Sequence, residues 1–308
     1  MKSNNLYLKK ILLFGFAFIL QINFTLIAQQ KWNVIIDADT GNEVDDLYAL
    51  VRALMEPTWN ITALNATQWQ TAHWAVEQSM ENSHRLNQVL VAYFPHNIKT
   101  LRGGYERMFD WGDLAQHSAA AYEIINQAKA LKNGEKLNIV ALGALTNIAS
   151  AIFIEPNIEN HINLYWLGTA YDFENDILKR NDFNSVMDVQ ALEILLNSKV
   201  EMTIIPTTAA ANLTFNFIES KKKIEELNPL GEFLIKRWFD HFDGGRKERI
   251  LWDLALIEAI IHPEFTKQKQ LVTSKDNGSK LVNYIYWIDP EKMKNDFFQT
   301  FYHFKLLD

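Results

Sequence analysis

The chain has 308 residues, 48% of them hydrophobic and 22% charged, and 30 basic against 37 acidic side chains give a net charge of −7. That composition excludes a disordered chain, a coiled coil and a collagen-like fibre, and the acidic balance withholds the basic surface that nucleic-acid binding needs. There is no cysteine, which excludes a disulfide framework, a thiolate metal site, a cysteine nucleophile and lipidation on an N-terminal cysteine.

Lys2, Lys9 and Lys10 open the chain, and an apolar run follows from Ile11 to Leu20. It resumes past Gln21 and Asn23 to Ile27, and Ala28 supplies a small residue before Gln29. This is the plan of a secretory signal peptide. The polar interruptions, and the lack of a basic stop-transfer cluster, argue against a retained anchor. Removal of residues 1–28 is therefore expected, leaving one domain at 29–308 that is periplasmic or extracellular. Loss of those three lysines takes the net charge from −7 to −10.

Strands and helices then alternate. WNVIIDAD (32–39) is a short apolar run ending in acids, as a buried strand with a polar tip would be. Residues 43–57 space Val44, Leu47, Leu50, Val51 and Leu54 as a helix does, closed by Pro57. Further strands are predicted at 60–65, 89–94, 137–142, 162–168, 200–206 and 280–288. Helices are predicted at 71–87, 115–131, 145–154, 186–198, 217–242, 250–261 and 290–301. Such alternation implies an α/β fold, an open and mostly parallel sheet with helices on both faces. Ligands bind such sheets at the C-terminal ends of strands. The rule points to Asp37 and Asp39 and to the loops after Leu142, Gly168 and Pro206.

Asp37, Asp39, Glu43, Asp45 and Asp46 fall within ten residues at the first of those strand ends. Like charges this close are costly unless a cation sits among them. Oxygen ligands without His or Cys favour Ca2+ or Mg2+ over zinc. Helix capping and dipole effects explain any one of these acids, but not the set.

The motifs resemble those of the inosine-uridine nucleoside hydrolase family. DADTGNEVDD (37–46) resembles its D-x-D-x-G-x-D-D opening with two extra residues. LGALTNIASAI (142–152) is similar to its L-G-x-L-T-N-x-A segment, YWLGTA (165–170) to a strand with a G-G-A-like turn, NDFNSVMDVQAL (181–192) to E-x-N followed by D-x-x-A-A, and ILWDLALIEAI (250–260) to a late acid opening a helix. The resemblance implies a Rossmann-like sheet and water-driven cleavage of the N-glycosidic bond of small-molecule ribonucleosides. In it one Ca2+ holds the ribose 2′- and 3′-hydroxyls and the attacking water. Carried over, Asp39 ligates the metal and acts as general base. Asp46, the carbonyl of Thr146 and Asp253 complete the ligands. Asp45 and Asn184 bind the ribose hydroxyls, Asp182 the 5′-hydroxyl, and Asp37 supports the site.

Three departures stand out. An ungapped alignment puts Glu43 and Val44 at the acid pair, and Val44 cannot bind metal, so the insertion at 42–44 is kept. Asp182 stands where the family has Glu. Trp252 stands where pyrimidine-tolerant members carry a histidine acid and purine-specific members a tryptophan, which implies stacking on a purine. Trp69 and Trp74 follow the second strand and could flank a base, although such residues are more often core. Asp188 reads as a helix-terminal charge, and His241 as a solvated loop histidine. Neither nucleic acid nor, after signal removal, membrane is expected as a partner. Homo-oligomer formation stays open. Two rivals remain. The D-x-D-T start resembles haloacid dehalogenase-like phosphatases, with Asp37 as nucleophile, and a non-catalytic sugar- or nucleoside-binding protein has the same fold.

Overall fold

A computed structural model describes residues 31–306 apart from positions 96, 109–113, 133, 173 and 176. The expected signal peptide lies outside the described residues. Among those described, no helix is long and apolar enough to cross a membrane.

The chain begins β1 (Trp32–Ala38), α1 (Asp45–Leu54), β2 (Trp59–Ala66), α2 (Ser79–Val91), β3 (Lys99–Leu101), α3 (Ala119–Ala130), β4 (Leu137–Ala141), α4 (Thr146–Ile154) and β5 (Ile162–Leu167). A small hairpin of β6 (Ala170–Asp172) and β7 (Ile177–Lys179) precedes α5 (Phe183–Met187), α6 (Val189–Asn197), β8 (Glu201–Ile205) and α7 (Thr207–Ala210). There follow β9 (Thr214–Asn216), α8 (Phe217–Ile224), α9 (Pro229–Phe239), β10 (Glu248–Ile250), α10 (Trp252–Ile261), β11 (Thr266–Val272), β12 (Leu281–Ile288) and α11 (Pro290–His303).

The main sheet has eight strands in the order β11-β12-β8-β5-β4-β1-β2-β3. Every neighbouring pair is parallel except β11 with β12. Its central strands are buried on both faces, which is why they read as unbroken apolar runs. Val34, Ile36 and Val140 face a core shared with α1, α8, α9, α10 and α11, while Ile35, Ile139 and Trp166 face α3, α4 and α6. The aromatic C-terminal segment is packing, as its composition suggests: Phe297 and Phe301 are fully buried. The chain leaves β1 toward β2 on one side, while β4 takes the other. The C-terminal ends of β1 and β4 therefore form a switch point, the place where such sheets bind ligands.

Several expected elements differ. The helix expected at 71–87 occupies 79–91, and the strand expected at 89–94 is its last turns and the chain beyond. Ser79, Met80, Ser83, His84, Asn87 and Leu90 are its buried positions, a helical spacing that overrides the strand preference of Val89 and Val91. The strand that pairs with β2 is β3 instead. The helix expected at 217–242 is two helices, because Asn228 caps a new one with Pro229 in its first turn. Edge strand β11 was not anticipated. Its polar sequence TKQKQLV suits an exposed edge and hides it from an apolar-pattern search.

Candidate active site

Two parallel ladders hold β1 at the switch point, so Asp37 and Asp39 emerge between β2 and β4. Asp37 is fully buried and does not border the cavity described below. Asn147, in the first turn of α4, donates to Asp37 Oδ1 at 2.9 Å and to the Ala66 carbonyl at 3.0 Å, and accepts from Gly104 N. Burial still pushes the Asp37 carboxyl up to about 7, with the Asn147 hydrogen bond pulling the other way. Asn147 is thus a positioning residue. Its signal was the asparagine of the L-T-N motif.

Beyond β1 the chain turns through Gly41–Val44 and enters α1 with Asp45 and Asp46 in its first turn. Asp253 lies in the first turn of α10, whose backbone N–H donates to Asp45 Oδ2 at 3.3 Å. Ligand oxygens of Asp45, Asp46 and Asp253 come within 4.8 Å of one another. Asp46 is 1% exposed and Asp253 3%, and Oδ1 of each has no hydrogen-bond partner. Burial, then repulsion from Asp39 and Asp45 at Asp46 and from Asp45 and Asp46 at Asp253, raises the pKa of both well above the usual carboxylate range. Asp39 is raised likewise, by burial and then by Asp45. Gly143 makes room for it at the end of β4: a Cβ there would lie 2.5 Å from Asp39 Oδ1.

These acids floor a cavity of about 300 Å3. Among the described residues, no Lys, Arg or His borders it. Orphaned carboxylate oxygens, mutual repulsion and an all-oxygen donor set together fit a hard divalent cation, held by Asp46 and Asp253 with Asp39 and Asp45 beside them.

The remaining expected residues divide. Asn184 borders the cavity, its Nδ2 donating to the carbonyls of Leu142 (2.6 Å) and Leu167 (2.9 Å), so its Oδ1 is the atom it can offer a ligand. Asp182 also borders it but caps α5, accepting from Ser185 N and Oγ, and burial raises its pKa. Trp252 forms part of the wall. Thr146 is not brought to the cavity. It is buried in the first turn of α4, where its hydroxyl donates to Asp188 Oδ2 at 2.7 Å and accepts from Gln68 Nε2. Leu142 is the residue of that strand end that borders the cavity. Asp188 caps α6, as its position suggests.

Trp69 is buried core, but Trp74 borders the cavity and stacks on Phe183, with ring centroids 5.4 Å apart at 17°. Phe183 and Thr207 had no sequence signal beyond lying after strand ends. The insertion had one: Trp74 Nε1 donates to Asn42 Oδ1 at 2.9 Å, and Asn42 Nδ2 donates to Asp39 Oδ2 at 3.2 Å. Glu43 also borders the cavity, its pKa pushed up to about 7 by burial and then by Asp45. His241 is not a solvated histidine. It is half-buried beside Phe242, with burial and then Arg249 pushing its pKa down to about 4. It borders a neighbouring cavity of about 800 Å3, which shares Trp74 with the first.

The model of the inosine-uridine preferring nucleoside hydrolase family matches residues 34–284. The chain belongs to this family. It is therefore a hydrolase of N-glycosyl bonds in small-molecule ribonucleosides. Among nucleoside hydrolases, the non-specific ribonucleoside hydrolase RihC of Salmonella paratyphi B is 24% identical over 271 residues, covering 80% of this chain and 84% of that one. A probable uridine nucleosidase 1 of Oryza sativa subsp. japonica is 23% identical over 267 residues, covering 80% and 82%. The solved purine-preferring ribonucleoside hydrolase from Gardnerella vaginalis shares the fold, with a TM-score of 0.65 at 19% identity over 88% of this chain and 98% of that one. Family membership sets the phosphatase reading aside. So does the geometry, since Asp37, its nucleophile, is tied to Asn147 and lies off the cavity.

Proposed function

We propose that the protein hydrolyses purine ribonucleosides with a Ca2+ ion held by Asp39, Asp46 and Asp253. The observation that carries this is the cavity itself, a floor of buried acids with orphaned oxygens under walls of Trp74, Phe183 and Trp252. A cation bound there supplies positive charge that orients the ribose diol and acidifies the attacking water. Asp39 takes that water's proton. Asp45 and the Asn184 oxygen accept from ribose hydroxyls. The carboxylates around the sugar stabilise the positive charge that develops on it as the base departs. Asp182, occupied in capping α5, contributes a weaker contact at the 5′ end.

The aromatic wall supports purine preference, because an indole face overlaps a purine more than a pyrimidine. A pyrimidine also needs a proton donor as it leaves, and among the described residues no histidine borders this cavity. A riboside panel assayed for free base with and without EGTA tests the reading. Faster release from inosine, adenosine or guanosine than from uridine, abolished by EGTA, is the expected result. Binding of nucleoside without release of base would overturn it. The basic and then apolar start of the chain supports export with cleavage near Ala28. Intact-mass analysis in the native host that finds Met1 retained defeats that part.

A further inference from the structure

A second cluster lies at the other end of α10, outside the active-site cavity. Glu258 and His262 stand one turn apart at the C-terminal end of that helix, and Asp296 faces them from α11; one ligand atom from each comes within 4.8 Å of the others. Arg52, at the end of α1, is ion-paired to Glu56 (3.1 Å), Glu258 (3.2 Å) and Asp296 Oδ2 (2.8 Å). Three carboxylates thus share one guanidinium, and burial still raises the Glu258 carboxyl well above its usual range, with Arg52 pulling the other way.

The atoms left over point the same way. Glu258 is 0% exposed, and neither carboxylate oxygen has a hydrogen-bond partner. Oε1 faces Arg52, whereas Oε2 has no such ion pair. Asp296 gives Oδ2 to Arg52 and leaves Oδ1, which lies 3.1 Å from His262 Nε2. His262 Nδ1 is 3.0 Å from Glu264 Oε1. A ring that donates from Nδ1 to a carboxylate presents a lone pair at Nε2, the arrangement that orients metal-bound histidines. At 3.1 Å from Asp296 Oδ1, Nε2 is bridged to it either by a proton or by a metal ion. Two ligands each about 2.1 Å from a zinc-class ion stand roughly 3.0–3.4 Å apart, and the observed separation suits them. His262 and Asp296 keep 26% and 22% side-chain exposure, which gives an ion a way in.

We propose that Glu258 Oε2, His262 Nε2 and Asp296 Oδ1 form a second metal site, for a divalent transition ion of the zinc class. The imidazole selects such an ion over Ca2+. Bound there, it staples α11 to the helix whose first turn carries Trp252 and Asp253.

Titration of the full chain with Co2+, in the presence of excess Ca2+, tests this by calorimetry and by the visible absorption of nitrogen-ligated Co2+. One such equivalent is expected, with protons released on binding. It is expected to persist in Asp46→Ala, to vanish in His262→Ala, and to weaken about tenfold in Glu264→Gln, which removes the carboxylate orienting the ring. If His262→Ala does not fold, His262→Gln keeps a polar side chain without the imidazole and carries the same expectation. No nitrogen-ligated Co2+ in the parent protein, its persistence in the His262 variants, or its loss in Asp46→Ala overturns the proposal.

Discussion

Helices α1 and α10 pack side by side, and each end of the pair buries a cluster of acids. At the N-terminal end stand Asp45, Asp46 and Asp253; toward the other stand Glu56, Glu258 and, from α11, Asp296. The second cluster contains Arg52, a cation carried by the protein. Among the described residues the first has only the partial positive charge of two helix N-termini, about half an elementary charge each, and no basic residue borders its cavity. Burial makes both clusters costly. The difference is where the compensating charge comes from. A cluster that holds a guanidinium of its own supports the fold before any ion binds. One left without a basic partner must recruit its cation from solution, and it is this one that opens into a cavity.

The contrast can be broken most sharply at Asp39. Asp39→Asn is expected to lower kcat by about 10²–10⁴ while the far-UV spectrum and melting stay native, because an amide cannot take the water's proton. Turnover close to normal removes Asp39 from the mechanism.

At the opposite cluster the large effect falls on stability. Arg52→Ala strands Glu258 among other acids and is expected to cost about 3–5 kcal/mol in denaturant melts. The paired measurement is Asp253→Asn in EDTA, which removes repulsion and is expected to leave stability unchanged or raised. A destabilised Asp253→Asn would mean that the first cluster already has a cationic partner within the protein.

A pH series sharpens the same point. Burial raises Asp37 to about 7 in the folded state, and raises Asp39, Asp46 and Asp253 as well; unfolded aspartate sits near 3.9. Acids raised in this direction favour folding while protonated. The contribution of these acids to the stability of the EDTA-treated protein is therefore complete below about pH 4 and declines as pH rises toward 7. Added Ca2+ is expected to restore the melting temperature at the upper end, since it binds the folded state. A melting temperature that is flat with pH in EDTA, or blind to Ca2+, contradicts the unpaired cluster.

The smallest expected effect is at the wall. Trp252→Ala is expected to lower kcat/KM for inosine about tenfold, the equivalent of about 1.4 kcal/mol and within the range of aromatic stacking, with little change in melting. Unfolding of this variant, with normal turnover by the fraction still folded, would assign Trp252 to packing.

Much of this was open to inspection in one dimension. The acids at 37–46, the apolar β1 that lifts them to a strand end, the alternation behind a parallel sheet, and the family motifs are all local patterns, set by strand period, helix period and charge spacing. Two of the elements misread from sequence failed because tertiary burial overrode local propensity. Val89–Val91 is helical because buried positions on either side follow a helical period, and β11 is a strand because β12 offers it an edge. The site divides along the same line. Nothing near Thr146 in sequence says that its hydroxyl turns to Asp188 while Leu142 borders the cavity, nor that Trp74 finds Phe183 across more than a hundred residues. Arg52 meets Asp296 across 244 positions. Local spacing chose which residues carry charge; only the packing of α1, α10 and α11 decided which charges were paired, because the electrostatic cost of a buried acid depends on what folds against it rather than on its neighbours in the chain.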